Sequence, residues 1–149
     1  MTSNGTARLP TVREATVADE SGLWPLAAAL ATSYRPTKDG FGRALRAIVA
    51  DPHAAILVAI SEKELVGHVH VLTHPAFHAD GAIGWVEELT VRDSARGTGC
   101  GRALMAAAEQ WARERDDIAY MALTTRRAGD FYRAVGYEDS ATYFKRPFR

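Results

Sequence analysis

A glycine-rich loop that leads directly into a helical pattern constrains this chain more than any other feature. The loop reads Gly97-Thr98-Gly99-Cys100-Gly101; it follows an alternating apolar run and precedes apolar residues at helical spacing. Glycines let the main chain approach a bulky anion, and a helix N-terminus adds N–H groups and positive potential. The sequence therefore predicts a phosphate cradle, which Arg96 and Arg102 flank with charged donors.

Two common phosphate-binding loops do not match this register. A nucleoside-triphosphatase P-loop needs Lys after its last glycine, whereas this chain has Arg102. A dinucleotide fingerprint needs a third glycine at Gly-x-Gly-x-x-Gly spacing, but counting from Gly97 reaches Arg102 and counting from Gly99 reaches Leu104. The pattern that remains is Arg-x-x-Gly-x-Gly over residues 96–101.

The charge balance argues against two classes of partner. The 149 residues include 18 Lys plus Arg and 18 Asp plus Glu, so the formal net charge is zero. A protein that binds mainly nucleic-acid phosphates or anionic lipid is usually basic, so we expect neither nucleic acid nor a membrane as a partner. The 47% hydrophobic and 24% charged fractions are typical of one folded domain. We predict a disordered leader over residues 1–10 and a single domain over residues 11–149.

The expected compartment is the cytoplasm. The lone Cys100 has no partner for an internal disulfide, so the chain does not call for an oxidising environment. The sequence has neither the apolar run of a signal peptide nor an apolar stretch long enough to span a bilayer.

Alternating strand and helix patterns predict an α/β (α+β) domain. Thr16 is the expected N-cap of the first helix, with Asp19 as its capping-box partner, and Gly136 is the expected end of the last helix. The other helices are expected over residues 41–50, from about residue 101 onward and over residues 128–135. Strands are expected over residues 11–16, 55–60, 65–73, 84–91, 118–124 and 137–144.

Two motifs in this order resemble the GNAT superfamily of N-acetyltransferases, whose members bind acetyl-CoA. The first is Arg-x-x-Gly-x-Gly after the alternating Leu89-x-Val91. The second is Phe131-Tyr132-Arg133-Ala134-Val135-Gly136-Tyr137, which is similar to the family's closing Phe-Tyr-x-x-x-Gly-Phe/Tyr segment. The resemblance extends over residues 11–144. The Glu-Glu-Leu-Thr-Val strand and the Tyr-Phe-Lys ending are similar to the branch that acetylates small amines, including aminoalkylphosphonates.

The resemblance implies a mixed, mostly antiparallel twisted sheet, flanked by about four helices and splayed at the acetyl-CoA site. The strand ending at Val91 would part from the strand ending at Thr124, and the pantetheine arm would pair with the main chain of Leu89 and Val91. Many relatives have an Asn before the last helix, where Thr125 is the candidate substitute. A homodimer is also implied. The implied cofactor-binding residues are Leu89, Thr90, Val91, Arg96, Gly97, Thr98, Gly99, Cys100, Gly101, Arg102, Thr125 and Arg133.

The expected reaction is transfer of acetyl from acetyl-CoA to a primary amine of a small molecule, by direct attack in a ternary complex. Such an amine is protonated at neutral pH and must lose a proton before it attacks, for which Glu87 and Glu88 are the candidate bases. Strand alternation sends them to opposite faces unless a β-bulge intervenes. The resemblance favours Glu87, although some relatives carry the acid at the position of Glu88. Tyr132 matches the family residue that protonates the leaving thiolate.

Alternative interpretations remain open at this point. The acceptor could be a protein N-terminus or lysine, or the chain could be a non-catalytic acyl-CoA sensor that keeps the loop. His68 and His70 share a strand face and could chelate a metal, but no ligand set completes a site, so substrate contact or plain surface is preferred and no metal is predicted. Cys100 lacks a paired base and is assigned to packing.

Overall fold

Five strands form one sheet in chain order in this computed structural model, which describes residues 8–30 and 34–149. The first three neighbouring pairs are antiparallel and the last is parallel. The mixed, mostly antiparallel α/β fold with four helices is therefore confirmed. The strands are β1 (Thr11–Glu14), β2 (Ala54–Ser61), β3 (Glu64–Ala76), β4 (Gly81–Val91) and β5 (Ile118–Leu123), and the helices are α1 (Glu20–Leu30), α2 (Lys38–Ala50), α3 (Cys100–Arg115) and α4 (Gly129–Ala134).

Each face of the sheet has its own core, because successive strand residues point to opposite sides. One core joins alternate residues of the central strands, such as Leu57 and Val69, to α3 residues such as Leu104. The other joins Ile56 and Val58 to buried leucines of α1 and α2. The sheet therefore separates a face covered by α3 from a face covered by α1 and α2.

Side-chain caps set where the first two helices begin. Thr16 and Asp19 form the predicted capping box, in which the Asp19 carboxylate accepts the Thr16 N–H at 2.9 Å. A short 3₁₀ turn at Val17–Asp19 then leads into α1. Thr37 accepts the Gly40 N–H at 3.1 Å, which satisfies a free donor and lets α2 begin three residues before the predicted position 41.

The predicted strand over residues 137–144 is wrong. The chain after α4 forms no strand, and residues 138–149 are all exposed. A strand needs a paired edge and usually one buried face, but Tyr143 and Phe144 are 59% and 87% exposed. The alternation of residue types in this segment therefore has no packing partner in the described part of the chain.

The predicted leader falls largely on residues 1–7, which lie outside the described residues, so the leader and domain bounds stay predictions. In the two described ranges, every helix is too short or too polar to cross a bilayer.

Candidate active site

A β-bulge interrupts β4 at Glu87. Val86 pairs with Val71 of β3, whereas Glu88 pairs with the adjacent His70, so Glu87 is an extra residue on β4. A bulge of this kind re-aims side chains that simple alternation would send to opposite faces. Both glutamates consequently line the same cavity, on the face covered by α1 and α2.

The cavity has a volume of about 880 Å³ and lies between the sheet and the two N-terminal helices. Leu23, Phe41 and Ile56 contribute to its apolar lining. Its polar lining comes partly from the sheet and partly from the helical side and the C-terminal segment. The sheet provides His68, His70, Glu87 and Glu88, and the other side provides Tyr34, Arg35, Thr37, Arg43 and Arg149.

The sheet side of the cavity combines carboxylates with imidazoles. His68 is 3% exposed; its Nε2 lies 3.7 Å from a Glu88 carboxylate oxygen, and its Nδ1 has no hydrogen-bond partner within the described residues. The neighbouring His68 holds the pKa of the Glu88 carboxyl below its usual range, against the opposing effect of burial. Burial lowers the pKa of His70, although the charges of Glu88 and Glu87 oppose this shift. Glu88 is therefore ionised at neutral pH and His70 is neutral.

Glu87 is held by a neighbour on its own strand. The Trp85 indole N–H donates to a Glu87 carboxylate oxygen at 2.7 Å. This hydrogen bond orients the Glu87 side chain and gives Trp85 a role in the site that the sequence did not reveal.

Strands β4 and β5 part immediately before the bulge. Their last pair is Val86 with Leu123, although β4 continues to Val91. The Arg92 N–H donates to the Val66 carbonyl of β3 at 2.7 Å, so alternation turns the main chain of Leu89 and Val91 away from β3. The end of β4 therefore has an edge that β5 does not pair, at the place where the resemblance implies a gap.

The glycine-rich loop joins this edge to α3. Gly97 and Gly99 have φ values of 74° and 86°, which residues with a Cβ rarely adopt, and Gly99 immediately precedes α3. The Thr98 hydroxyl donates to the Ala95 carbonyl, which ties the loop to the preceding turn. Cys100 is buried, and burial raises the pKa of its thiol, as expected for a packing residue rather than a nucleophile.

The two arginines that flank the loop are both exposed, and they differ in their partners. Arg96 lies 3.2 Å from an Asp93 carboxylate oxygen, whereas Arg102 forms no ion pair with the described residues. The exposed Arg102 is therefore the guanidinium that an anion at this loop would meet without competition.

Helix α4 packs against the loop. A Cβ added at Gly101 would lie 3.2 Å from the ring of Phe131, so glycine allows this close approach. Tyr132 is partly buried, and burial raises the pKa of its phenol, which keeps it protonated at neutral pH. The Thr125 hydroxyl already accepts the Ala128 N–H, and Arg133 is paired with Asp130 and Asp139. These last two predicted cofactor residues thus have partners within the chain.

Sequence reasoning missed the cavity-lining residues Arg35, Arg43 and Arg149. Arg35 and Arg43 lie in two different elements and Arg149 lies in the C-terminal segment, so no motif connects the three. Within the described residues, no group of three or more His, Cys, Asp or Glu side chains could hold a metal ion.

Comparison with known proteins decides the family. Residues 23–137 match the Acetyltransferase (GNAT) family. The chain belongs to this family. The GNAT protein is 31% identical over 150 residues to an aminoglycoside N(6')-acetyltransferase type 1 of Stenotrophomonas maltophilia, with 95% of each chain covered. It is also 31% identical over 137 residues to an aminoalkylphosphonate N-acetyltransferase of Salmonella typhimurium strain LT2, which covers 87% of this chain and 85% of that protein.

The fold has close counterparts among solved structures. An aminoglycoside N-acetyltransferase in complex with CoA superposes with a TM-score of 0.81 at 18% identity, covering 93% of this chain and 95% of that one. At this identity the likeness carries the fold alone. The family match and the two N-acetyltransferase relatives establish an acetyltransferase of the GNAT type.

Proposed function

We propose that the protein transfers the acetyl group of acetyl-CoA to a primary amine of a small molecule, by direct attack in a ternary complex. The bulge at Glu87 carries this proposal. It lies where β4 parts from β5, and it turns Glu87 and Glu88 into the cavity. The unpaired edge of β4, where the acetyl donor would bind, and the cavity, where the acceptor would bind, therefore meet at the bulge.

The donor side fits acetyl-CoA, which supplies the acetyl group as a thioester. The loop over residues 97–101 and the first turn of α3 offer main-chain N–H groups to a pyrophosphate, and Arg102 adds a free positive charge. The free main chain of Leu89 and Val91 can pair with the amides of the pantetheine arm. An N–H at this edge also holds the carbonyl oxygen on which negative charge grows during attack.

The acceptor side must bind an ammonium group and remove a proton from it. Glu88 remains ionised because its pKa is lowered, which suits it to binding a cation. Glu87, oriented by Trp85, is the carboxylate that accepts the proton, directly or through water. The neutral amine then attacks the thioester carbonyl.

Tyr132 completes the transfer on the donor side. As the C–N bond forms and the C–S bond breaks, the leaving thiolate takes the phenolic proton of Tyr132. The proton still carried by the new amide nitrogen returns to the phenolate or passes to solvent. Because burial raises its pKa, Tyr132 is protonated before each turnover.

Thiol release tests the proposed function. The protein is incubated with acetyl-CoA, a thiol reagent and a panel of primary amines, and products are identified by mass spectrometry. Thiol release that depends on a small amine supports the proposal. CoA binding without release on any amine would instead indicate an acyl-CoA sensor, and release only with peptides would indicate a protein acetyltransferase.

We further propose that the protein is a homodimer located in the cytoplasm. Support for the dimer comes from the family resemblance, and support for the compartment comes from the single, buried cysteine. Sedimentation at increasing protein concentration tests whether the protein is a dimer, and cell fractionation tests whether it is cytoplasmic.

A further inference from the structure

The acceptor cavity has two chemically different sides. Its sheet side carries Glu87 and Glu88, which suit an ammonium group. Its other side carries three arginines from three separate segments: the α1–α2 connection, α2 and the C-terminal segment. These are Arg35, Arg43 and Arg149. Leu23, Phe41 and Ile56 contribute apolar lining to the same cavity.

The three arginines are not neutralised within the protein. Within the described residues, five other arginines form ion pairs, with Asp19, Glu64, Asp93, Glu14, and Asp130 and Asp139. Arg35, Arg43 and Arg149 have no carboxylate within 4.0 Å in the described part of the chain. Unpaired arginines that line one cavity attract an anion, to which a guanidinium group can donate paired hydrogen bonds.

Contacts of the C-terminal segment keep Arg149 at this cavity. The Tyr34 hydroxyl donates to the main-chain carbonyl of Arg149 at 2.8 Å. The Lys145 ammonium lies 6.0 Å from the centre of the Tyr34 ring. The C-terminal segment, which has no regular structure, thus reaches the cavity through contacts with the α1–α2 connection.

A buried polar atom on the sheet side also lacks a partner. His68 lines the cavity, is 3% exposed, and its Nδ1 makes no hydrogen bond within the described residues. Buried polar atoms are rarely left without a partner, so this atom indicates an ordered water on the sheet side of the cavity, which a bound ligand would contact.

We infer that the acceptor is a primary amine that carries an anionic oxyacid group, such as a phosphonate, phosphate or carboxylate, on a short linker. This inference rests on the proposed function. The carboxylates hold the amine beside the thioester, and the arginines hold the oxyacid at the other side of the cavity. The same arginines disfavour a polycationic aminoglycoside, whose further ammonium groups would face them.

Matched acceptors test the inference with the full chain and acetyl-CoA. We expect kcat/KM for 2-aminoethylphosphonate, O-phosphoethanolamine or β-alanine to exceed that for ethanolamine by about 10- to 100-fold, as charge-assisted hydrogen bonds would give. The acceptor with the highest kcat/KM identifies the preferred oxyacid group. Equal or higher values for ethanolamine or kanamycin would overturn the inference and leave the proposed function intact. No transfer to any amine would overturn the proposed function itself.

Arginine variants locate the anion site. Arg43→Gln and Arg35→Gln should each raise KM for the preferred anionic acceptor about tenfold and leave KM for ethanolamine unchanged. Arg46→Gln is the matched control, because Arg46 is exposed on the same helix as Arg43 but does not line the cavity. An equal loss in Arg46→Gln, or an equal loss for both acceptors, would contradict the assignment. Thermal melting confirms that each variant is folded.

Discussion

The two sides of β4 are built in different ways. The proposed donor side consists mainly of main chain: an unpaired strand edge, a loop with two glycines at positive φ, and a helix N-terminus. The proposed acceptor side consists of residues from α1, the α1–α2 connection, α2, β2, β3, β4 and the C-terminal segment. A main-chain site needs particular local residues in a fixed order, whereas a side-chain cavity can be assembled from any residues that the fold brings together. The main-chain site can therefore stay the same while substitutions in the side-chain cavity change the ligand that it binds.

The largest expected effect comes from removing both carboxylates at the bulge, which tests whether they bind the amine and accept its proton. Replacing Glu87 and Glu88 together by Gln should lower kcat by about 10²- to 10⁴-fold, because both the ammonium site and the proton acceptor are lost. KM for acetyl-CoA should not change. Steady-state kinetics measure both quantities.

Single variants and a control sharpen this prediction. We expect Glu87→Gln to lower kcat and Glu88→Gln chiefly to raise KM for the amine. Glu138→Gln, in the exposed C-terminal segment, should leave both constants unchanged. Normal turnover in the double variant would show that neither carboxylate takes part.

Tyr132→Phe tests the donor side of the reaction. We expect kcat to fall about 10²-fold while the Kd for CoA, measured by calorimetry, stays within twofold, since a proton donor acts after binding. Tyr137→Phe is the matched control: Tyr137 lies nearby and its hydroxyl donates to Glu109 at 3.0 Å. An equal loss of kcat in both variants would point to disturbed packing of α4 instead.

Gly97→Ala tests whether the glycine-rich loop binds the donor. Gly97 and Gly136 both have positive φ, and neither would meet an atom within 4 Å on gaining a Cβ. Alanine at either position should therefore cost about 1 to 2 kcal/mol in the free energy of unfolding. Only Gly97→Ala should also raise KM for acetyl-CoA, by about tenfold or less. A similar rise in KM for acetyl-CoA in Gly136→Ala would show that the effect does not come from binding of the donor by the glycine-rich loop.

The smallest expected effect concerns the pH dependence of stability on the acceptor side. Burial lowers the pKa of His70, so the unfolded chain gains a proton at higher pH than the folded protein. Its contribution to stability is full above about pH 6.5 and is lost as the pH falls through the lower folded-state pKa. The groups that act on it electrostatically include Glu87, Glu88 and His68.

Urea unfolding at pH 7.5 and pH 5.5 measures this effect. His70→Asn should reduce the loss of stability between the two pH values by about 1 kcal/mol or less. His74→Asn, at an exposed position on the same strand, should not alter it. If His70→Asn loses as much stability between pH 7.5 and pH 5.5 as the unsubstituted protein, His70 does not cause the pH dependence of stability.

Most of the fold could be predicted from the sequence, because its signals are local. A near-continuous aliphatic run located β2 and the extended pattern that follows it located β3. The capping box at Thr16 set the start of the first helix, and the two motifs placed α3 and α4. The strand expected over residues 137–144 failed because a strand depends on a neighbouring edge, which the local pattern does not report. The sequence allowed for a bulge at the two glutamates only as an exception to strand alternation, since register depends on the partner strand.

By itself, the sequence indicated the family and located the glycine-rich loop before α3, because glycine conformation and helix N-termini are properties of consecutive residues. Only the tertiary structure decided that Glu87 and Glu88 share one cavity and that Arg35, Arg43 and Arg149 surround it. Those placements arise from strand register and from the packing of distant segments. The charges that we propose select the acceptor therefore become visible only when the chain is folded.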